Sequence, residues 1–324
     1  MKVFINKRIP EIGITMLERE GIDIIFPEKE DLSYEEWLWH CRNADAVLNV
    51  GNTFRYDKTF FQECPNIKAI VLYSVGFDHV DIQEADRRKI PVGNTPDVLS
   101  RATSDTAFLL MQSVARRAGY NFQKVKEGNW GAFDPMDALG QELYGKTLGI
   151  FGLGRIGFEM AKKSQRAFDM KIIYYNRHRN EEAEKELNAD YVSFDELIMN
   201  SDVLSIHASF SPEQKDLFNH SVFEKMRSGA IFINTARGGF HNQEDLYQAI
   251  VSGQIWGAGL DVTNPEPMSQ DDPLLELSTV CVLPHIGSAT IEARNGMARL
   301  AAENIIALSK GGKMPYCANP EVYS

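Results

Sequence analysis

The chain has 324 residues, 44% of them hydrophobic and 24% charged, with a formal net charge of −11; that is the balance of a globular protein of about two domains whose core needs no staples. The acidic excess speaks against a nucleic-acid-coating surface, which needs clustered Lys and Arg, and Arg177-His178-Arg179 is the one dense basic spot, large enough for a single phosphate. Cys41, Cys64, Cys281 and Cys317 have no metal-knuckle or redox-pair spacing, and no signal-peptide layout or membrane-length apolar run is found, so a cytoplasmic protein with reduced thiols, no metal and no membrane contact is expected.

In chain order, short apolar runs at 3–5, 22–26, 46–50 and 69–73 predict strands separated by helices or loops. This βαβ alternation implies a mostly parallel sheet. One long helix is expected over 104–127, between Pro96 and Gly128, followed by a stretch at 130–144 rich in aromatic and turn residues. The pattern then restarts, with strands expected at 147–151, 171–175, 203–207, 230–234, 257–262 and 280–283 and a last helix over 291–310. The expected fold is α/β, with two Rossmann-like doubly wound parallel-sheet domains. A cofactor domain, 99–286, is inserted in a discontinuous substrate domain made of 1–98 and 287–324.

Gly152-Leu153-Gly154-Arg155-Ile156-Gly157 follows an apolar strand and opens a helix, the context that gives a Gly-x-Gly-x-x-Gly motif its meaning. The first glycine permits a tight turn, the second lets backbone approach a pyrophosphate, and the third packs helix on strand. The helix N-terminus, with Arg155 and Ile156, then offers N–H groups and a positive dipole end to phosphate. An NAD-preferring site of this kind carries a carboxylate at the end of the second strand, roughly twenty residues beyond the glycines. Here Asn176-Arg177-His178-Arg179 stands there instead. Asn176 can donate a hydrogen bond, Arg177 can pair with a 2′-phosphate, and His178 and Arg179 add positive potential. NADPH is therefore expected over NADH, the alternative being a basic tripeptide that is only solvated.

Further strings carry a resemblance: Ser74-Val75-Gly76-Phe77-Asp78-His79-Val80-Asp81, Asn94-Thr95-Pro96-Asp97-Val98-Leu99, Ile233-Asn234-Thr235-Ala236-Arg237-Gly238, Gly259-Leu260-Asp261-Val262 with Glu266-Pro267, and Pro284-His285-Ile286-Gly287-Ser288-Ala289-Thr290. Together they resemble the D-isomer-specific 2-hydroxyacid dehydrogenase family over nearly the whole chain. The His-Ile-Gly-Ser form is similar to the branch of glyoxylate/hydroxypyruvate and 2-ketogluconate reductases. Two departures stand out: Arg101 replaces the family's usual acidic residue, and Gly239-Phe240-His241 replaces a small or aliphatic residue and Val. By analogy both lie near the cleft.

The resemblance implies reduction of a small 2-oxo acid to a D-2-hydroxy acid, which needs a cation for the carboxylate, an acid for the carbonyl oxygen and a placed nicotinamide. Arg237 has the planar fork for the first. His285 can give and take the proton, and Glu266 can orient it and favour its charged form. Alone, each of the three has an ordinary reading as a surface, loop or structural residue. The resemblance further implies that backbone N–H groups of Val75 and Gly76 hold the substrate carboxylate. It places Thr235 and Ala236 near the cofactor ribose, Gly287 beside the cofactor, and Asp261 on the nicotinamide carboxamide, unless Asp261 instead caps a loop. His207 reads as structural. The aromatic stretch with Trp130 and Phe133 implies a homodimer arm. Other readings stay open: 2-ketogluconate or another 2-oxo acid as substrate, an NAD(P)H-sensing binding protein like the family's co-repressor relatives, or formate or phosphite as hydride donor.

Overall fold

The computed structural model describes residues 1–29 and 31–324. They form two compact units, Met1–Leu99 with Ala289–Ser324, and Ser100–Ser288. In the first unit, β1 (Lys2–Ile5), β2 (Asp23–Ile25), β3 (Ala46–Asn49), β4 (Ala69–Leu72) and β5 (Val92–Gly93) make a parallel sheet ordered β2-β1-β3-β4-β5. Its central strands β3 and β4 are buried at every position, which is why they read as unbroken apolar runs rather than as alternation. The helix Ile291–Ser309 returns to this unit and packs on the helix Glu11–Arg19, where a Cβ on Gly13 would meet the Ala298 carbonyl at 2.9 Å.

The second unit holds seven parallel strands: β6 (Thr147–Phe151), β7 (Lys171–Tyr175), β8 (Asp190–Tyr191), β9 (Val203–Ile206), β10 (Ala230–Asn234), β11 (Ile255–Leu260) and β12 (Val280–Val282). Their order is β12-β11-β10-β9-β6-β7-β8. The chain leaves β6 toward β7 and returns to β9 on its other side, so the loops after β6 and β9 diverge. Such a switch point, at the carboxyl ends of the strands, is where open α/β sheets place their ligands. Leu148, Ile150, Ile172 and Tyr174 face one core, and Phe151, Ile173, Leu204 and Phe232 face the other. Both faces are therefore covered, as a parallel sheet requires.

The single helix expected over 104–127 is two, Ser100–Ala115 and Ala118–Lys126. Two groups take the carbonyls that would have continued the first: the Trp256 indole donates to Val114 O (3.1 Å) and Gln141 N donates to Ala115 O (2.7 Å). Arg117 then turns through the left-handed region at φ 53°. The partners lie far along the chain, so helical periodicity carried no sign of the break. No helix of the described residues is long and apolar enough to cross a membrane.

Candidate active site

Each glycine of the motif has its own reason. Gly152, directly after β6, has φ +99°, and a Cβ there would overlap the backbone of His207 and Ala208 after β9. The glycine thus lets the two diverging loops touch. A Cβ on Gly157 would meet Gly152 O at 2.5 Å and Ile150 at 2.9 Å, whereas one on Gly154 would meet nothing within 4 Å. Gly154 is the residue before the helix Arg155–Phe168. Its bare side is therefore kept open by geometry, as a backbone that must approach a pyrophosphate requires. Among the described residues the Ile156 N–H donates to no group, leaving one of the helix's first donors open to an anion.

After β7, no carboxylate stands at the strand end. Arg177 and His178 are exposed and make no ion pair among the described residues. The other two residues of this segment are engaged differently from the sequence-based expectation. Asn176 Oδ1 accepts from Leu153 N (2.6 Å) and its Nδ2 donates to Leu153 O (3.3 Å), so its amide braces the glycine loop. Asn180 donates to the same carbonyl at 3.0 Å while accepting from Ala183 N at 3.1 Å. Arg179 pairs with Glu184 (2.6 Å) and stacks over Tyr191; its charge is neutralised locally and adds little to the potential over a phosphate.

Arg237, Glu266 and His285 follow β10, β11 and β12 and are all in the second unit. A Cβ on Gly238 would overlap the backbone of Thr263, so that glycine lets the Arg237 loop lie directly against the loop leading to Glu266. Thr263 Oγ1 donates to Pro265 O at 2.8 Å and shapes the latter loop. His285 Nδ1 sits 2.6 Å from Glu266 Oε1, the two side chains 44% and 33% exposed. A carboxylate can only accept, so Nδ1 carries the proton and Nε2 is left for chemistry. His285 has φ +53°, an uncommon conformation for a side chain with a Cβ. Asp261 holds it there: Oδ1 accepts from Ile286 N (2.8 Å) and Oδ2 from Gly287 N (2.7 Å). Burial raises the Asp261 carboxyl above its usual range, against the pull of these two backbone bonds. The loop-capping alternative for Asp261 is thus a visible role. Gly287 belongs to it, since a Cβ there would press Asp261 Oδ2 at 3.0 Å.

Thr235 is buried with no partner for its Oγ1, and Ala236 N is taken by Asn234 Oδ1 at 3.0 Å. His207 is held neutral, its pKa pushed down to about 3 by burial, with Ser205 Oγ 2.8 Å from Nε2. His241 is wholly buried. Arg101 is exposed on the first turn of its helix. In the first unit, Val75 and Gly76 lie in the loop after β4, where Asn94 Nδ2 donates to Val75 O (3.0 Å) and Ser74 Oγ to Gly76 O (2.8 Å). With both carbonyls held, the N–H groups of the pair donate to nothing among the described residues. Sequence reasoning missed Asn234 and Asn180 altogether; a polar residue at a strand end or helix start was the only signal.

Residues 108–287 match the family described as D-isomer specific 2-hydroxyacid dehydrogenase, NAD binding domain. A glyoxylate reductase of Pyrococcus horikoshii is 41% identical over 325 residues, covering 99% of this chain and 96% of its own. A solved structure from Thermus thermophilus superposes with TM-score 0.90 at 35% identity, covering 98% of this chain and all of the other. The NADPH-dependent glyoxylate/hydroxypyruvate reductase of Sinorhizobium meliloti, solved with NADP and malonate, gives TM-score 0.84 at 28% identity, with 98% and 97% covered. The open glycine turn, the oriented histidine and the adjacent arginine lie where these similarities run, and the chain belongs to the D-isomer-specific 2-hydroxyacid dehydrogenase family as an NAD(P)-dependent oxidoreductase acting on 2-hydroxy acids.

Proposed function

We propose that the chain reduces a small 2-oxo acid of the glyoxylate or hydroxypyruvate type to the D-2-hydroxy acid, with NADPH in preference to NADH. The observation that carries the reading is the His285–Glu266 pair at 2.6 Å beside the Arg237 loop. A bound nicotinamide supplies the hydride. Arg237 binds the carboxylate with its planar fork and polarises the ketone. His285 delivers the proton from Nε2 to the carbonyl oxygen, while Glu266 keeps the ring oriented. Val75 and Gly76 are proposed as backbone donors to the carboxylate. Thr235, Ala236, Asp261 and Gly287 are proposed to flank the nicotinamide side, and Gly152, Gly154, Arg155, Ile156 and Gly157 to hold the pyrophosphate.

The preference for NADPH is supported by Arg177 and His178, which are exposed and outside any ion pair among the described residues, where a carboxylate would repel a 2′-phosphate. The Sinorhizobium relative is named for the same cofactor. A homodimer is supported by the helix Ala118–Lys126, which buries none of its residues, and by the stretch after it, where Trp130 is 80% and Phe133 93% exposed. Apolar surface of that kind marks an interface. A kcat/KM panel of glyoxylate, hydroxypyruvate and 2-ketogluconate, each with NADPH and NADH, tests the assignment. Absence of turnover with glyoxylate and hydroxypyruvate rejects the proposed substrate class, and equal or better kcat/KM with NADH rejects the cofactor preference.

A further inference from the structure

Asn234, the last residue of β10, is fully buried and grips the loop that follows it at two points. Its Oδ1 accepts from Ala236 N at 3.0 Å and its Nδ2 donates to Arg237 O at 2.9 Å. The Ala236 N–H fixes which way the amide faces, because only the oxygen can accept from it. One N–H of Nδ2 remains, and no water reaches a residue this buried. That hydrogen points to His241 Nδ1, 3.0 Å away. His241 is fully buried as well, edge-on to Phe232 with ring centroids 5.8 Å apart. Since Nδ1 must accept, the ring is neutral with its proton on Nε2, which has no partner. Burial keeps it so, pushing its pKa down to about 4.

We propose that His241 is a positioning residue: by accepting the second Asn234 amide hydrogen it locks the clamp that fixes the backbone of Arg237, and so the aim of the guanidinium toward the substrate carboxylate. The proposal rests on the reading of Arg237 as the carboxylate ligand. Its logic is that a buried amide hydrogen left without an acceptor is costly, and the strain is relieved most cheaply by turning the amide. Turning it removes both grips on the loop at once. An apolar residue of similar volume at 241 would fill the space without supplying the acceptor.

Two substitutions separate the acceptor from the volume. His241→Leu keeps bulk and loses the acceptor; His241→Asn loses bulk but sets an oxygen near the place of Nδ1. The expected result is a rise of tenfold or more in KM for glyoxylate in the Leu variant, with the NADPH dissociation constant, read by fluorescence, unchanged within threefold. The Asn variant is expected within threefold of the parent in KM. A Leu variant with the parent KM overturns the proposal, and so does an Asn variant impaired as badly as the Leu variant. Nitrogen-15 NMR of histidine-labelled protein at pH 7 reads the same claim without turnover or mutation. The expected signal for His241 is the Nε2–H tautomer, and the Nδ1–H tautomer overturns the proposal. The tautomer is independent of the substrate, so its failure is distinguishable from failure of the functional reading.

Discussion

His285 has one nitrogen engaged by Glu266 and one left over, which is the arrangement of a proton donor rather than of a histidine that merely completes a network. His285→Ala should therefore lower kcat by roughly 10²–10⁴-fold. Its side chain is 44% exposed, so thermal melting should hardly move; an unchanged kcat would remove the residue from the chemistry. Arg237→Lys keeps charge and loses the fork, and steady-state kinetics should show kcat/KM badly impaired; near-parental kinetics would rule out bidentate binding. Asp261 makes a sharper case. Its two oxygens accept two backbone N–H groups, and Asp261→Asn sets an amide NH₂ against one of them. A buried clash of donors costs about 1–3 kcal/mol, so denaturant melts should show that loss together with reduced kcat. Strings of neighbours put Arg237, Glu266 and His285 forward in the sequence, and the 2.6 Å contact of His285 with Glu266 is what the structure adds. Loop capping by Asp261 was one of two readings open in the sequence; the bracing by Asn234 and His241 was not legible, because it depends on which loop lies across from which, and on burial that no string records.

The turn after β6 and the loop after β7 act as one piece, tied at Leu153 by Asn176 and Asn180. The glycines predict different failures. Gly152→Ala meets backbone and a positive φ, so it should destabilise by more than 1 kcal/mol. Gly154→Ala meets nothing within 4 Å, so melting should be near parental while cofactor affinity, measured by titration, falls. Parental affinity for both cofactors in the Gly154 variant would mean that no ligand backs onto that turn. Arg177→Ala should weaken NADPH and leave NADH almost unchanged in kcat/KM. Asn176→Asp is expected to weaken both cofactors rather than to exchange them, because the carboxylate loses the donor that holds Leu153 O. The parallel strands, the glycine turn and the helix after it were readable from apolar runs and from spacing. The break at Arg117 was not, since it is imposed by Trp256 and Gln141 from far along the chain.

Across the whole molecule, acid stability is set in part by two histidines that fold in their neutral form. His207 and His241 titrate near 3 and 4 in the folded chain, against 6.5 for an ordinary histidine. Below pH 6.5 the unfolded chain binds protons that the folded chain refuses, so stability falls as pH falls, down to about pH 4 for His241 and about pH 3 for His207. Each contributes a slope of up to about 1.4 kcal/mol per pH unit. Melting followed from pH 7 to 4 should show the decline, and replacing His241 with Leu should flatten it; an unaltered slope would place the pH dependence elsewhere. The aromatic residues at 130 and 133 predict a dimer in sedimentation, and charged substitutions at both should yield monomers. The order of the seven strands bears on span. Neighbouring strands stand about 4.8 Å apart, and β9 and β10 lie between β6 and β11, so about 14 Å of sheet separates the glycine turn after β6 from the loop bearing Glu266. Backbone ladders set that length, and side chains cannot change it. The sheet is a ruler with a fixed scale, and only a ligand of the matching length engages both ends together. Nicotinamide mononucleotide, which reaches one end, should bind without recruiting the other. Because the scale is invariant, the residues at either end can be exchanged independently: on the function proposed above, cofactor preference would be free to drift at β7 while the proton chemistry at β11 and β12 stayed calibrated.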